Sequence, residues 1–389
     1  MPRHLLVDLS GHGYGHLSQT APVLNELTRR LPGLRVTVRC GLPRQTLAAR
    51  LAFPFVHHPE ALDFGMVMDN ALDANPEKSR QAYRQSHRDW PRRVAQQARR
   101  MAALAPSLVL ANVPYLSLAA AAGAGIPAVA LCSLHWGDIQ RHYFPEDTDI
   151  HGQIMEAYGG APFIRLTPGM PMESLPRAFT VGPVARIGRD GRRELRRRLG
   201  MADDEMLVLA GLGGIPFAVP VAEWPRLPGV RWLVPADWST GHPAALPWES
   251  LGLPFIDVLR ASDALLTKPG YGSFAEAACN GVRVLHVPRP DWPETTCLVE
   301  WLRRHGAGAE ISRRRLQRGD LGEALEQLMG VDLPPPPRPT GIAEAADFIE
   351  ALLRSPETST ATSSPETMAT EGPLVATEGP LESAARETT

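Results

Sequence analysis

Cysteine is scarce in this chain. The 389 residues hold four, Cys40, Cys132, Cys279 and Cys297, far apart and without a C-x-x-C pair. That pattern excludes a disulfide scaffold and a zinc ribbon, and a reducing, cytoplasmic setting fits it. An excess of one charge is also lacking. Lys and Arg number 40 against 42 Asp and Glu, a net of −2, so no global field gathers nucleic acid or membrane. An acidic ligand must be held locally, and peripheral contact with a membrane stays open. Long hydrophobic runs are missing too. The apolar run before Asp8 is too short for a signal-peptide core. Residues 116–134 carry no charge over a span-like length, but Gly123, Gly125 and Pro127 interrupt them and Ala outweighs Leu. They read as a helix end, a turn and a buried strand.

What is present is an α/β alternation, with 44% hydrophobic residues to build cores for two domains. Residues 4–9 form an apolar run that stops at Ser10-Gly11-His12-Gly13-Tyr14-Gly15-His16. Residues 17–31 repeat Leu at helical spacing and 35–40 alternate like a strand, giving one βαβ unit with a glycine-rich first turn. The G-x-G-x-G spacing, with no acid at the end of the second strand, departs from a dinucleotide fingerprint. Residues 77–104 read as one long Arg- and Gln-rich helix with a solvated charged face, not a nucleic-acid surface. Strands follow at 108–111 and 128–132, then a polar aromatic loop to about Asp149. Asp147 and Asp149 spell D-x-D, but with no strand before them a metal role is disfavoured.

A second α/β pattern opens at 206–210 with the turn Gly211-Leu212-Gly213-Gly214. It continues through strands at 230–234 and 282–287, then the loop containing Asp291 and Glu294. Expected boundaries are a first domain at 1–182, a linker at 183–190, a second domain at 191–354 and a low-complexity tail at 355–389. The tail repeats Ala-Thr-Glu-Gly-Pro-Leu and is rich in Ser, Thr, Glu and Pro, so it cannot bury a core and is expected to be disordered.

Within the second pattern, Lys268-Pro269-Gly270-Tyr271-Gly272-Ser273-Phe274-Ala275-Glu276 runs from a strand through a glycine turn into a helix. Its unpaired N–H groups and positive dipole end suit a phosphate. The plainer reading is a capping box between Ser273 and Glu276, in S-x-x-E spacing.

Two α/β halves with facing glycine loops, and the stretch 269–276, resemble the GT-B glycosyltransferases. Within them the likeness is to the family-28 type, which includes the enzyme adding N-acetylglucosamine during peptidoglycan synthesis. The chain also resembles the glycosyltransferase-like N-terminal half of plant arabinokinases. Residues 10–16, 108–139, 261–289 and Glu294 carry these likenesses. A kinase-type phosphate loop is not among them, so kinase activity is not expected.

The resemblance implies a nucleotide-diphosphate sugar as donor and an unspecified hydroxyl acceptor, with no metal or further cofactor. Gly270, Gly272 and Ser273 would meet the donor diphosphate, with Gly213 and Gly214 approaching it and Gly13 and Gly15 nearby, and Lys268 and Tyr271 would also be donor-binding. Glu276 would hold the ribose hydroxyls, and Asp291 and Glu294 the sugar hydroxyls. His16 is the implied base and His12 the alternative, with Asp138 a candidate to orient it. Direct displacement with inversion is the implied course. Two other readings remain: an epimerase or hydrolase of the same fold, and a non-catalytic nucleotide-sugar binding protein.

Overall fold

The computed structural model describes residues 3–238 and 241–355. The repeated-sequence tail from 356 onward lies outside the described residues. Seven parallel strands form the first sheet: β1 (His4–Leu9), β2 (Arg35–Arg39), β3 (Val56–His58), β4 (Leu108–Asn112), β5 (Ala128–Cys132), β6 (Phe163–Leu166) and β7 (Ala178–Val181), in the order β3-β2-β1-β4-β5-β6-β7. Six form the second: β8 (Met206–Ala210), β9 (Val230–Val234), β10 (Ala245–Pro247), β11 (Ala264–Thr267), β12 (Arg283–His286) and β13 (Gly308–Glu310), in the order β10-β9-β8-β11-β12-β13. Both sheets are covered by helices on either side. Strands such as Leu108–Asn112 and Ala264–Thr267 are accordingly buried at every position, and read as continuous apolar runs rather than as alternation.

In each sheet the strand order reverses next to the first strand, between β1 and β4 and between β8 and β11. Crevices at such switch points are where α/β sheets bind ligands. The loop at 10–16 leaves β1, Asn112 ends β4, the loop at 211–214 leaves β8, and Lys268 follows β11.

Several expectations are corrected. The stretch 77–104 is two helices, Pro76–His87 and Trp90–Leu104, because Pro91 sits in the first turn of the second. The supposed loop at 133–149 contains the helix Trp136–Tyr143 and the start of Thr148–Gly159. His135 caps the first of these by accepting from the Asp138 N–H at 3.3 Å. Asp147, the residue before the second, pairs with Arg80 and Arg84.

Several contacts join the halves away from the two glycine loops. The last helix, Gly341–Arg354, returns to the first half, where Arg30 pairs with Asp347 and the Gly182 N–H donates to Glu344 at 2.7 Å. Tyr271, the first residue of the helix Tyr271–Cys279, donates its hydroxyl to the Thr167 carbonyl at 3.2 Å and accepts from the Val184 N–H at 2.9 Å. The apolar core is continuous across this seam, from Leu5, Val7 and Leu24 to Phe274, Val284 and Ile349.

Candidate functional site

Two glycine loops meet in the cleft. Gly13 takes φ of +76° and Gly213 of +90°, conformations that favour glycine. A Cβ on Gly214 would stand 2.8 Å from the Tyr14 ring, and one on Gly272 would collide with Ser18. The absence of side chains at these positions lets the first-half helix Gly15–Arg30 and the second-half helix Tyr271–Cys279 approach at their N-termini. Neither helix has a side-chain cap or an acidic residue in its first turn, so both present bare N–H groups.

The Ser273–Glu276 capping box is not formed. The helix starts at Tyr271 with Gly270 as its cap residue, which puts Ser273 past the capping position. Glu276 instead accepts from Arg186 Nε at 2.9 Å, and its other oxygen has no hydrogen bond among the described residues. Tyr271 is buried in the seam between the halves rather than facing a ligand. Asp291 is exposed and offers the cleft rim its carbonyl, bound by Tyr143 Oη at 2.6 Å.

On the first-half wall, His16 is buried and its Nδ1 lies 2.8 Å from Asn112 Oδ1. That oxygen can only accept, so Nδ1 carries the proton and Nε2 keeps its lone pair. Burial lowers the imidazole to about 4 and the Asn112 bond opposes this, so it is neutral at pH 7. Asp138 does not orient it: its carboxylate pairs with His135 Nε2 at 2.9 Å. His12 is lowered to about 3, first by burial and then by its titratable neighbour His16 and by Lys268 and Arg289. Its ring stacks on Trp292 at 6.0 Å.

On the second-half wall, Lys268 is pushed down to about 7 by burial and by Arg289, with Glu294 opposing. Arg289 is buried, its guanidinium 4.6 Å from the Trp292 ring centre and its Nε 3.4 Å from the Leu72 carbonyl. Glu294, the first residue of the helix Glu294–His305, is pulled across the cleft. It accepts from Ser133 Oγ at 2.5 Å and Trp292 Nε1 at 3.4 Å. Its pKa is raised overall, because burial outweighs those two bonds and the nearby Arg289 and Lys268, which lower it.

Beside these groups is a cavity of about 370 Å³ lined by Gly11, His12, Gly41, Phe64, Met66 and Ile215 among others. Asp63 borders it and accepts from Trp136 Nε1 at 2.7 Å; burial raises that carboxyl to about 6.

Asn112, Gln19, Ser133 and Arg289 were not singled out from the sequence. The available signal was positional: Asn112 and Ser133 stand at or just after the ends of predicted strands, and Arg289 follows another.

This architecture is the GT-B fold: two parallel-sheet α/β domains facing across a cleft. It is similar to the calicheamicin glycosyltransferase CalG4, with TM-score 0.60 and 18% identity over 93% of this chain and all of that one. It is also similar to Arabidopsis thaliana UGT89C1, solved with UDP, with TM-score 0.54 and 16% identity over 92% and 96% of the respective chains. In sequence, the chain is 28% identical over 342 residues to the L-arabinokinase of Arabidopsis thaliana, covering 83% of this chain and 32% of that protein. It is 25% identical over 167 residues to an uncharacterized glycosyltransferase of Methanopyrus kandleri, covering 40% and 48%. The matches thus span about a third and about half of these two relatives. No protein-family model matches. No helix among the described residues is long and apolar enough to cross a membrane.

Proposed function

We propose that the chain transfers a sugar from a nucleoside-diphosphate donor to a hydroxyl acceptor. The observation that carries this reading is the opposition of the two switch points. One presents a neutral imidazole with a lone pair on Nε2, and the other presents an uncapped helix N-terminus with Lys268 and Arg289 beside it.

The diphosphate would lie against the N–H groups that start the helix Tyr271–Cys279, with Lys268 beside it, the two glycine loops allowing close approach. Glu276 would hold the ribose hydroxyls through the oxygen that Arg186 leaves open, and Glu294 the hydroxyls of the sugar. The acceptor would occupy the cavity bordered by Phe64 and Met66. Its hydroxyl oxygen bonds to the anomeric carbon as the bond from that carbon to the diphosphate oxygen breaks. The hydroxyl proton passes to His16 Nε2 and the diphosphate departs with the bonding electrons, inverting the centre. Positive charge from protein groups serves the leaving group, and the scheme calls for no metal. The family-28 type and a hexose donor fit this arrangement.

One observation favours a second reading, a nucleotide-sugar binding protein: the partner of His16 is a neutral amide, which supports a base less than a carboxylate does. A thermal-shift screen against UDP, GDP, TDP and ADP and their sugars tests the donor site, because a ligand bound only by the folded state raises Tm. No shift with any of them would sink both readings. A shift without release of nucleoside diphosphate, in the presence of a panel of hydroxyl acceptors, selects the second.

A further inference from the structure

His16 is isolated from direct counter-charge. Its ring lies beside Trp136, His12 and the Cys132 thiol, whose Sγ is 3.7 Å from Nδ1. Burial pushes that thiol up and keeps it neutral, and His12 is neutral as well. A chain of buried hydrogen bonds nevertheless runs from the imidazole to a carboxylate on the other half. His16 Nδ1 donates to Asn112 Oδ1 at 2.8 Å, and Asn112 Nδ2 donates to Gln19 Oε1 at 3.2 Å. Gln19 Nε2 donates to Ser133 Oγ at 2.8 Å, and Ser133 Oγ donates to Glu294 Oε1 at 2.5 Å.

The orientation of the Asn112 amide is set jointly by Thr20 and Gln19, and that of Gln19 by Asn112 and Ser133. The Thr20 hydroxyl spends its hydrogen on the His16 carbonyl at 2.9 Å, so the 2.7 Å contact between Thr20 Oγ1 and Asn112 needs a donor from Asn112. That turns Nδ2 toward Thr20 and Gln19 and leaves Oδ1 facing His16. Gln19 must then accept from Asn112 with Oε1 and offer Nε2 to Ser133. Every donor in the chain points the same way, and the last one ends on the only carboxylate in it. Hydrogen bonds aligned in this sense polarise one another in a low-dielectric interior.

We propose that Asn112, Gln19 and Ser133 are positioning residues that connect Glu294 to His16, so that a carboxylate on the second half serves at a distance as the orienting partner that the imidazole lacks in contact. Glu294 ionised holds the Ser133 hydroxyl toward itself, and each link then holds the next, keeping the proton on Nδ1 and the lone pair on Nε2. Glu294 also faces the place assigned above to the donor sugar, so the relay ties the state of the donor wall to the readiness of the base. Its effect on turnover rests on the glycosyl-transfer reading; its effect on the imidazole does not.

The test uses Gln19→Leu, a link that touches neither His16 nor Glu294 directly in this chain of bonds. Imidazole 15N shifts at pH 7 report the tautomer. The wild-type protein is expected to hold His16 as a single form protonated at Nδ1. Gln19→Leu is expected to give a mixture of tautomers and, with a turned-over donor, a roughly tenfold fall in kcat at unchanged donor KM. Ser133→Ala cuts the next link and carries the test if Gln19→Leu does not fold. Combined in one chain, the two cuts are expected to produce no more change in tautomer than either alone, because links in series fail together. An unchanged tautomer in both single variants, or additive changes in the double variant, overturns the relay. A tautomer that follows Gln19 in a protein that binds no nucleotide sugar leaves the relay standing and removes the transferase reading. Nucleotide-sugar turnover with an indifferent tautomer does the reverse.

Discussion

The two halves use one plan for opposite electrostatic ends. Each sheet reverses beside its first strand, and each places a glycine loop and a helix N-terminus at that reversal. The first half surrounds its loop with groups kept neutral: His12 and His16 are lowered well below their ordinary range by burial. The second half places the basic groups Lys268 and Arg289 there, with Glu294 acting on both and Asp73 also on Arg289. On the proposed reading, a site for moving a proton and a site for holding an anion arise from the same local geometry. The difference lies in which side chains follow the strands.

The largest test of this division is His16→Ala. Donor affinity should stay within about twofold while turnover falls by about 10²–10⁴, the usual range for a positioned base. Calorimetry with the nucleotide sugar and release of nucleoside diphosphate measure the two quantities, and unimpaired turnover would move the base elsewhere. Lys268→Met should act on the other wall alone. Loss of a charge-assisted contact to the diphosphate should weaken nucleoside-diphosphate binding by roughly 10–100-fold. Tm of the empty protein should hold or rise, because a desolvated cation is removed. A fall in Tm with unchanged affinity would make Lys268 structural and erase the contrast.

The smallest effect concerns pH. His12 has a folded value of about 3 against an ordinary 6.5, so the unfolded chain takes up the proton first as pH falls. Stability is therefore lost on acidification from about 6.5 toward 3. Each such histidine steepens the loss by about 1.4 kcal/mol per pH unit inside its window. His12→Gln should flatten the curve by one proton between pH 6 and 4, roughly. Equal slopes would mean that His12 titrates normally and that the first wall is not kept neutral.

Much of the architecture was legible in the chain because buried parallel strands are short, apolar and punctuated. His4–Leu9, Ala128–Cys132, Met206–Ala210 and Val230–Val234 were read directly from such runs. Val56–His58, Ala245–Pro247 and Gly308–Glu310 were missed, being three-residue edge strands that gain their form from a neighbour rather than from their own pattern. The helix Trp136–Tyr143 was hidden among aromatic and polar residues, although His135 and Asp138 stand at capping spacing. In the site, the glycine turns and His16 had local signatures. The links at Gln19, Asn112 and Ser133 had none, because they come from one helix and from the ends of β4 and β5, and sheet order brings them together. Tyr271 stands next to the glycine turn in sequence, but helical rotation carries its ring into the seam. Glu276 lies one turn further on, with one carboxylate oxygen on Arg186.

The hydroxyl of Tyr271 also bears on whether the halves can be recombined. The residue that begins the helix Tyr271–Cys279 is fastened to Val184 and to Thr167, both outside the second sheet, and Gly182 is fastened to Glu344 in the helix Gly341–Arg354. The halves are therefore not interchangeable cassettes separable by one cut at the linker. A chimera that grafts a new second half must bring Thr167, the segment through Val184 and the helix Gly341–Arg354 with it, or leave the start of its Tyr271–Cys279 helix resting on a foreign backbone.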